Sequence, residues 1–175
     1  MMHEHAPLCR IAACLLLLGA AVVPAPAASA LEDGQKFKDW SARCEKPAGA
    51  EQDRCYIFQR LVTRKDDDYV PVLHVLVGYI TADGRPGLFA TVPLGVSLPQ
   101  GLRISIDGGE AVSFGYSHCN SQGCLGALAL SDALIAGMKA GKRAVITFHA
   151  GSQQPVSIGI SLQGFTAGFS ALREP

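Results

Sequence analysis

Short apolar runs, broken by polar and turn residues, follow one another along most of the chain, which is the pattern of β-strands. Two runs, at 37–44 and 55–63, mix aromatic and β-branched residues with polar ones, and a loop is expected between them at 47–52. The run at 72–80 is almost continuously apolar, which predicts a strand that is covered on both faces. Further strands are predicted at 88–92, 102–106, 111–116, 125–130, 144–149 and 156–162.

Turn residues between neighbouring runs predict hairpins. Asp83-Gly84-Arg85-Pro86-Gly87 separates the run at 72–80 from the strand at 88–92. Asp107-Gly108-Gly109-Glu110 separates the strand at 102–106 from the one at 111–116. Strands at this spacing predict an all-β, mainly antiparallel domain, either a β-sandwich or a partly closed barrel.

Two segments near the C-terminus have helical periodicity instead. The segment at 131–140 starts with the capping residue Ser131 and stops before Gly141, and the segment at 164–172 is amphipathic. We therefore expect one or two short helices that pack on the sheets. The apolar residues that these segments place on one face are Leu134, Ile135, Met138, Phe165, Phe169 and Leu172.

Residues 1–30 have the pattern of a secretory signal peptide. A cation precedes an apolar run at 11–23, and the small-residue site Ala28-Ser29-Ala30 follows, so cleavage is expected before Leu31. A membrane anchor is the alternative, but the apolar run is shorter than the ~20 residues that span a bilayer. A lipid-bearing Cys14 is disfavoured because most of the apolar run follows it.

Composition narrows the class of protein further. Hydrophobic residues make up 49% of the 175 residues, charged residues 17%, and 15 Lys and Arg balance 15 Asp and Glu. This balance excludes a nucleic-acid binder built on a basic surface and also a long disordered chain. We expect residues 31–175 to form a single domain with no transmembrane segment in the mature chain.

The cysteines of the mature chain are Cys44, Cys55, Cys119 and Cys124. An even number in an exported chain predicts disulfides, with three possible connectivities, and the short separations favour Cys44–Cys55 and Cys119–Cys124. A zinc site needs paired ligands two to four residues apart, and the gap between Cys44 and Cys55 is too long for that. A C-x-x-C redox motif is absent from the sequence.

No sequence motif predicts a catalytic residue, a metal ligand or a cofactor. His74, His118 and His149 remain after cleavage, and none has an acid or a nucleophile beside it in a recognised pattern. The acidic run at 66–68 could hold calcium, but the cations at 64–65 favour a solvated hairpin tip. A Ser/His/Asp set assembled by folding stays open, and with it the alternative of an exported hydrolase.

Segments spread over the mature chain resemble, in order, the invasion-associated locus B (IalB) family. Together they extend over nearly the whole mature chain. They are Phe37-Lys38-Asp39-Trp40-Ser41-Ala42-Arg43-Cys44, Cys55-Tyr56-Ile57-Phe58-Gln59, Val92-Pro93-Leu94-Gly95-Val96-Ser97-Leu98-Pro99-Gln100-Gly101, Tyr116-Ser117-His118-Cys119 with Gly123-Cys124, and Ser161-Leu162-Gln163-Gly164-Phe165-Thr166-Ala167.

The resemblance implies an exported single-domain β protein of Gram-negative bacteria. Such proteins are periplasmic, outer-membrane-associated or secreted, and some are linked to entry into host cells. The resemblance carries over no catalytic residue. We therefore expect a non-enzymatic envelope protein that binds an unknown protein or envelope partner, with the oligomeric state left open. The tip at 64–68 and the loop at 120–122 are the exposed candidates for contact.

Five residues within the matching segments have predicted structural roles. Trp40 is expected to cover the core near the first disulfide. Pro93, Gly95, Pro99 and Gly101 are expected to bracket a rigid bend, since proline fixes φ and glycine permits a positive φ.

Overall fold

The structure is a computed structural model that describes residues 31–49, 51, 53–79, 84–151 and 154–172. The predicted signal peptide at 1–30 lies outside these ranges. The same is true of Ile80, at the end of a predicted strand, and of Asp83, in a predicted turn.

Strands dominate the described part of the chain, and both α-helices come near its C-terminal end. A 3₁₀ turn, Leu98–Gln100, precedes the sixth strand. The elements are β1 (Lys36–Phe37), β2 (Trp40–Glu45), β3 (Arg54–Lys65), β4 (Asp68–Gly78), β5 (Gly87–Val92), β6 (Leu102–Ile106), β7 (Val112–Phe114), β8 (Tyr116–Asn120), β9 (Gly123–Ala129), α1 (Asp132–Ala140), β10 (Arg143–His149), β11 (Pro155–Ser161) and α2 (Phe165–Ala171).

The strands form two antiparallel sheets. The large sheet has seven strands in the order β1-β2-β3-β4-β5-β9-β8, and the small sheet has four in the order β11-β10-β6-β7. Neither sheet closes on itself within the described residues, so the fold is the sandwich and not the barrel. The prediction of a mainly antiparallel β fold with two short helices is confirmed.

The core lies between the two sheets. Gly126 on β9 marks a close approach of the sheets, because a Cβ atom there would stand 2.5 Å from Cδ1 of Leu102 on β6. The fully buried residues belong to one cluster, to which both sheets contribute. Its largest members with almost no exposed surface are Trp40, Phe165, Ile57, Leu73, Leu88, Leu102, Ile104, Met138, Ile146, Ile160, Val75 and Val77.

The two helices begin and end where their sequences predict. The Ser131 hydroxyl oxygen accepts a hydrogen bond from the backbone N–H of Leu134 at 3.3 Å, which caps α1. The packing of α2 buries Phe165 and Phe169. No helix in the described ranges is long and apolar enough to cross a membrane.

Asp107 fastens the segment that follows α1 to the end of β6. Its carboxylate accepts hydrogen bonds from the backbone N–H groups of Lys142 and Arg143, both at 2.9 Å. These two hydrogen bonds lower the pKa of Asp107 below its ordinary value, because they stabilise the charged form.

The structure corrects three expectations about individual strands. The run at 37–44 is two strands, because the chain turns at Lys38, where φ is +54°. The strand predicted at 111–116 ends at Phe114, and Tyr116 begins β8 in the other sheet. The strand predicted at 72–80 is covered on one face only: Val75 and Val77 are buried, but His74 and Leu76 are only half-buried on the opposite face. The apolar run on β4 therefore supplies an outer surface as well as the core.

Candidate interaction face

Both disulfides join residues that face each other on neighbouring strands. Cys44 on β2 is bonded to Cys55 on β3, and Cys119 on β8 is bonded to Cys124 on β9. The Cα atoms are 4.0 Å apart in each pair. These are the local pairs that the sequence separations favour. Each disulfide closes the exposed end of a hairpin, and the second holds the loop at 120–122.

Trp40 links the large sheet to the elements that cover its inner face. It has no exposed surface, and its ring packs edge-on against Phe165 of α2, with the centroids 5.4 Å apart. Its indole N–H donates a hydrogen bond to the carbonyl of Ser161 at 2.9 Å. The side-chain amide of Gln59 donates to the same carbonyl at 2.6 Å. Trp40 thus joins β2, β11 and α2, and it lies four residues along β2 from Cys44.

The segment at 93–101 crosses from the large sheet to the small one. Gly95 and Gly101 adopt φ values of +88° and +61°, and Pro99 lies in the 3₁₀ turn. A Cβ atom at Gly101 would stand 2.6 Å from the carbonyl oxygen of Phe114, so only glycine fits there without a shift of the backbone. Both glycines therefore hold this bend in a shape that other residues adopt poorly.

The histidines are not gathered into one site. The strand register places His74 and His118 on the same face of the large sheet but three strand spacings apart, about 14 Å. His149 ends β10 in the small sheet, and its buried Nδ1 has no hydrogen-bond partner. Over the described residues, no histidine side chain is hydrogen-bonded to a serine or to an acid, and no three potential metal ligands converge.

The acidic run at 66–68 lies at the tip of the β3–β4 hairpin. Asp66 and Asp67 form the turn between the strands, and Asp66 has a φ of +54°. The guanidinium of Arg64 contacts the Asp67 carboxylate at 3.5 Å. The run is a charged hairpin tip, as the neighbouring cations predict.

The most unusual surface is the face of the large sheet that points away from the small sheet. On β3, Ile57 and Gln59 are buried against the core, whereas Tyr56, Phe58 and Arg60 alternate with them and point outward. We call this surface the outer face and define it by residues that share it through cross-strand pairing. They include Arg43, Glu45, Arg54, Tyr56, Phe58, Arg60, Val62, Arg64, Tyr69, His74, Leu76, Phe89 and Thr91.

An apolar row crosses the middle of the outer face. Phe58 on β3 is paired with Leu76 on β4, and Leu76 is paired with Phe89 on β5, so the three side chains lie side by side. Each is half-buried, and none belongs to the apolar groups packed on the core. Aromatic contacts extend the row, since the Phe58 ring lies 6.3 Å from that of Tyr56 and 5.6 Å from that of His74.

The outer face continues onto a projecting part of the β3–β4 hairpin. β2 pairs with β3 only up to Phe58, and β5 pairs with β4 only from His74, so the hairpin beyond these residues extends past its neighbours. The exposed fraction is 46% for Val62 and 71% for Tyr69 in this part. Apolar side chains on the outer face therefore extend from Tyr56 past Phe58 to Val62 in the projecting part of β3.

Arginine side chains interrupt the apolar residues of the outer face. Arg43 is paired with Glu45 at 2.9 Å, and Arg64 is paired with Asp67. Among the described residues, no carboxylate lies within 4.0 Å of the guanidinium of Arg60. The centre of the outer face therefore carries a cation without a counter-ion from the described chain.

The pKa values of His74 and Tyr56 are shifted by their surroundings on the outer face. Burial lowers the pKa of His74 below its ordinary value, and the positive charge of Arg60 lowers it further. Both effects favour the neutral form of the His74 ring. Burial raises the pKa of Tyr56, and the hydrogen bond that its hydroxyl donates to Glu45 raises it further.

Comparison with known proteins places the chain in a family. The model of the invasion associated locus B (IalB) protein family matches residues 40–173, which include every strand from β2 onward. The chain belongs to the IalB family. The resemblance noted on the sequence segments is thereby confirmed.

Proteins similar to this IalB protein come from Brucella abortus and Bartonella henselae. Two invasion protein B homologs from Brucella abortus, of strain 2308 and of biovar 1 strain 9-941, are each 26% identical to it over 147 residues. These alignments span 79% of this chain and 78% of each relative. The crystal structure of invasion associated protein B from Bartonella henselae has the same fold, with a TM-score of 0.64 and 21% identity over 77% of this chain and 91% of that one.

The outer face of this IalB protein was not predicted from the sequence, although a signal for it was present. The twelve residues of β3 place arginine, aromatic and β-branched residues at every second position, namely Arg54, Tyr56, Phe58, Arg60, Val62 and Arg64. A strand of an ordinary sandwich would alternate apolar with polar residues so that one face is solvated. Here both faces of β3 contain apolar residues, so the strand departs from this simple alternation.

Proposed function

We propose that this IalB protein is an exported, non-enzymatic binding protein of the bacterial envelope, and that it docks a partner protein on its outer face. Two features support export: the signal-peptide pattern of residues 1–30 and the two disulfides. The proposed location is the periplasm or the surface of the outer membrane, after cleavage near Ala30.

A single observation carries the proposed binding role: the apolar row of Phe58, Leu76 and Phe89 lies on the outside of a complete sandwich. The inner face of the same sheet is filled by the core, so these residues are not needed to hold the sheets together. Apolar patches rimmed by polar groups mark interaction surfaces, and aromatic residues and arginine are enriched in protein interfaces. The outer face has this composition.

The placement of the histidines favours binding over the hydrolase alternative. A Ser/His/Asp set needs the three side chains within hydrogen-bond reach of one another. His74 has an aromatic ring and a cation as neighbours, not an acid and a serine. The relatives are named as invasion proteins, and we propose that a role in host entry, where it exists, acts through the same surface.

Photo-cross-linking tests the proposed function. The photoreactive variant Phe89→p-benzoylphenylalanine places a probe in the apolar row, and Val112→p-benzoylphenylalanine is the matched control, because Val112 is 40% exposed on the small sheet. Both are expressed in the bacterium and irradiated in intact cells, alone and in contact with host cells. We expect one discrete protein adduct from position 89 and none from position 112.

Two results would contradict the proposal. The first is the absence of an adduct from position 89 in both settings while the variant is exported and its disulfides are formed. The second is the same set of adducts from both positions, which would show that contact does not depend on the outer face.

A further inference from the structure

We propose that the outer face binds an extended segment of the partner protein that presents two apolar side chains and a carboxylate on the same face, with the carboxylate paired to Arg60. This inference rests on the proposed function, because it specifies the chemistry of the partner that the same surface takes.

The length of the apolar row determines how many apolar side chains of the partner segment it can bind. Neighbouring strands lie about 4.8 Å apart, so the row from Phe58 through Leu76 to Phe89 is about 10 Å long. Side chains on one face of an extended segment recur every ~6.7 Å. The row therefore has room for two such side chains, and burying them removes apolar surface of both partners from water.

The arginines around the apolar row indicate that the partner segment carries an acidic side chain. The outer face carries the guanidinium groups of Arg43, Arg54, Arg60 and Arg64, although the whole chain has a net charge of zero. Two of them already have carboxylate partners, Glu45 and Asp67, at opposite ends of the face. Arg60 lies between these ends, next to the apolar row, and its charge is left for a group from outside the described residues.

The surroundings of Arg60 select a carboxylate within a protein segment over a polyanion. Binding of nucleic acid rests on many cation–phosphate contacts, and the face offers few free cations and an apolar row. A planar guanidinium binds a carboxylate with two parallel hydrogen bonds. Arg60 is exposed in the unbound chain, and a bound segment that covers Phe58 and Arg60 would exclude water, so such a pair would be screened less than at an open surface.

Peptide selection tests this chemistry directly. Short random peptides displayed on phage are selected on the immobilised mature chain, and enriched peptides are measured in solution against wild type and Phe89→Ser. We expect the Phe89-dependent peptides to contain two apolar residues two positions apart, with Asp or Glu two positions before or after them on the same face.

Charge reversal then tests the role of Arg60. Arg60→Glu is expected to weaken binding of the enriched acidic peptides by about tenfold or more and to select peptides with Lys or Arg in place of the acid. Arg103→Glu is the matched control, because Arg103 is an exposed arginine on the small sheet and the charge change is the same. We expect the control to leave the affinity of the acidic peptides unchanged.

The possible outcomes separate this inference from the proposed function. Phe89-dependent peptides that are neutral or basic would overturn the acidic chemistry and leave the binding face in place. If no enriched peptide depends on Phe89, both proposals fail. Binding of oligothymidylate or of phosphatidylglycerol vesicles that needs Arg60 but not Phe89 would overturn the inference. Self-association that Arg60→Glu abolishes would do so too, since the partner would then be a second copy of the chain.

Discussion

Arg60 and His74 face each other across β3 and β4, and the charge of Arg60 affects the titration of His74. The pKa of His74 is lowered first by burial and then by the charge of Arg60. The folded chain therefore binds a proton at His74 less readily than the unfolded chain does. The stability that the neutral ring contributes is present above the pKa of the unfolded state and is lost as the pH falls through the lower pKa of the folded state.

This coupling predicts the effect of removing the charge. Arg60→Gln should raise the pKa of His74 towards its ordinary value, whereas Arg103→Gln should leave it unchanged. An NMR titration of the His74 ring protons measures both. A His74 pKa that does not respond to Arg60→Gln would mean that the two side chains do not share the geometry described.

Single residues were predicted well where the signal is local. The Ser131 cap and the two cysteine pairs depend on groups a few residues apart, and the sequence displays them directly. The turn at Lys38 was not predicted, because a positive φ at a non-glycine residue has no reliable sequence signal. The position of Arg60 beside the apolar row was not predicted either, because the strands that form the row are distant from one another in the sequence.

At the level of elements, a disulfide closes the short turn of the β8–β9 hairpin and stabilises it. The disulfide between Cys119 and Cys124 spans a separation of five residues, and the turn between them is exposed. In the chain-entropy model, closing so short a loop stabilises the folded state by about 2 kcal/mol. This crosslink closes the loop at 120–122, within which the Asn120 side chain accepts a hydrogen bond from the backbone N–H of Gln122 at 2.8 Å.

The double variant Cys119→Ser/Cys124→Ser should accordingly lower the free energy of unfolding by about 2 kcal/mol. Removal of the Cys44–Cys55 disulfide, which spans a separation of eleven residues, should cost more, about 3 kcal/mol. Urea denaturation of the two variants and wild type measures the difference. A larger loss from the shorter loop would show that contacts other than loop closure decide the effect.

Strand positions were predicted closely, because the hydrophobic periodicity of each segment by itself indicates where a strand lies. Which faces of the strands are buried was predicted less well. The run at 72–80 has apolar residues at nearly every position, which local reasoning assigns to burial on both sides. Whether another layer covers the second face depends on how the sheets stack, and that information is not contained in the strand itself.

On the scale of the whole molecule, the net charge is zero but the charged side chains are unevenly distributed. The sequence predicts little electrostatic attraction because cations and anions balance, yet the outer face gathers four arginines on two adjacent strands. The fold brings them together because Arg43 lies on β2 and the others alternate along β3. The sandwich could thus be predicted from the sequence, and the outer face that we propose as its binding surface could not.

The central claim is that the outer face is the surface that becomes covered when the protein binds. Hydroxyl-radical footprinting of the mature chain, alone and in complex with the protein cross-linked from position 89, tests it most directly. We predict that Tyr56, Phe58 and Phe89 lose reactivity in the complex while Val112 on the small sheet keeps its reactivity. Unchanged reactivity of Phe58 and Phe89, together with protection on the small sheet, would contradict the account.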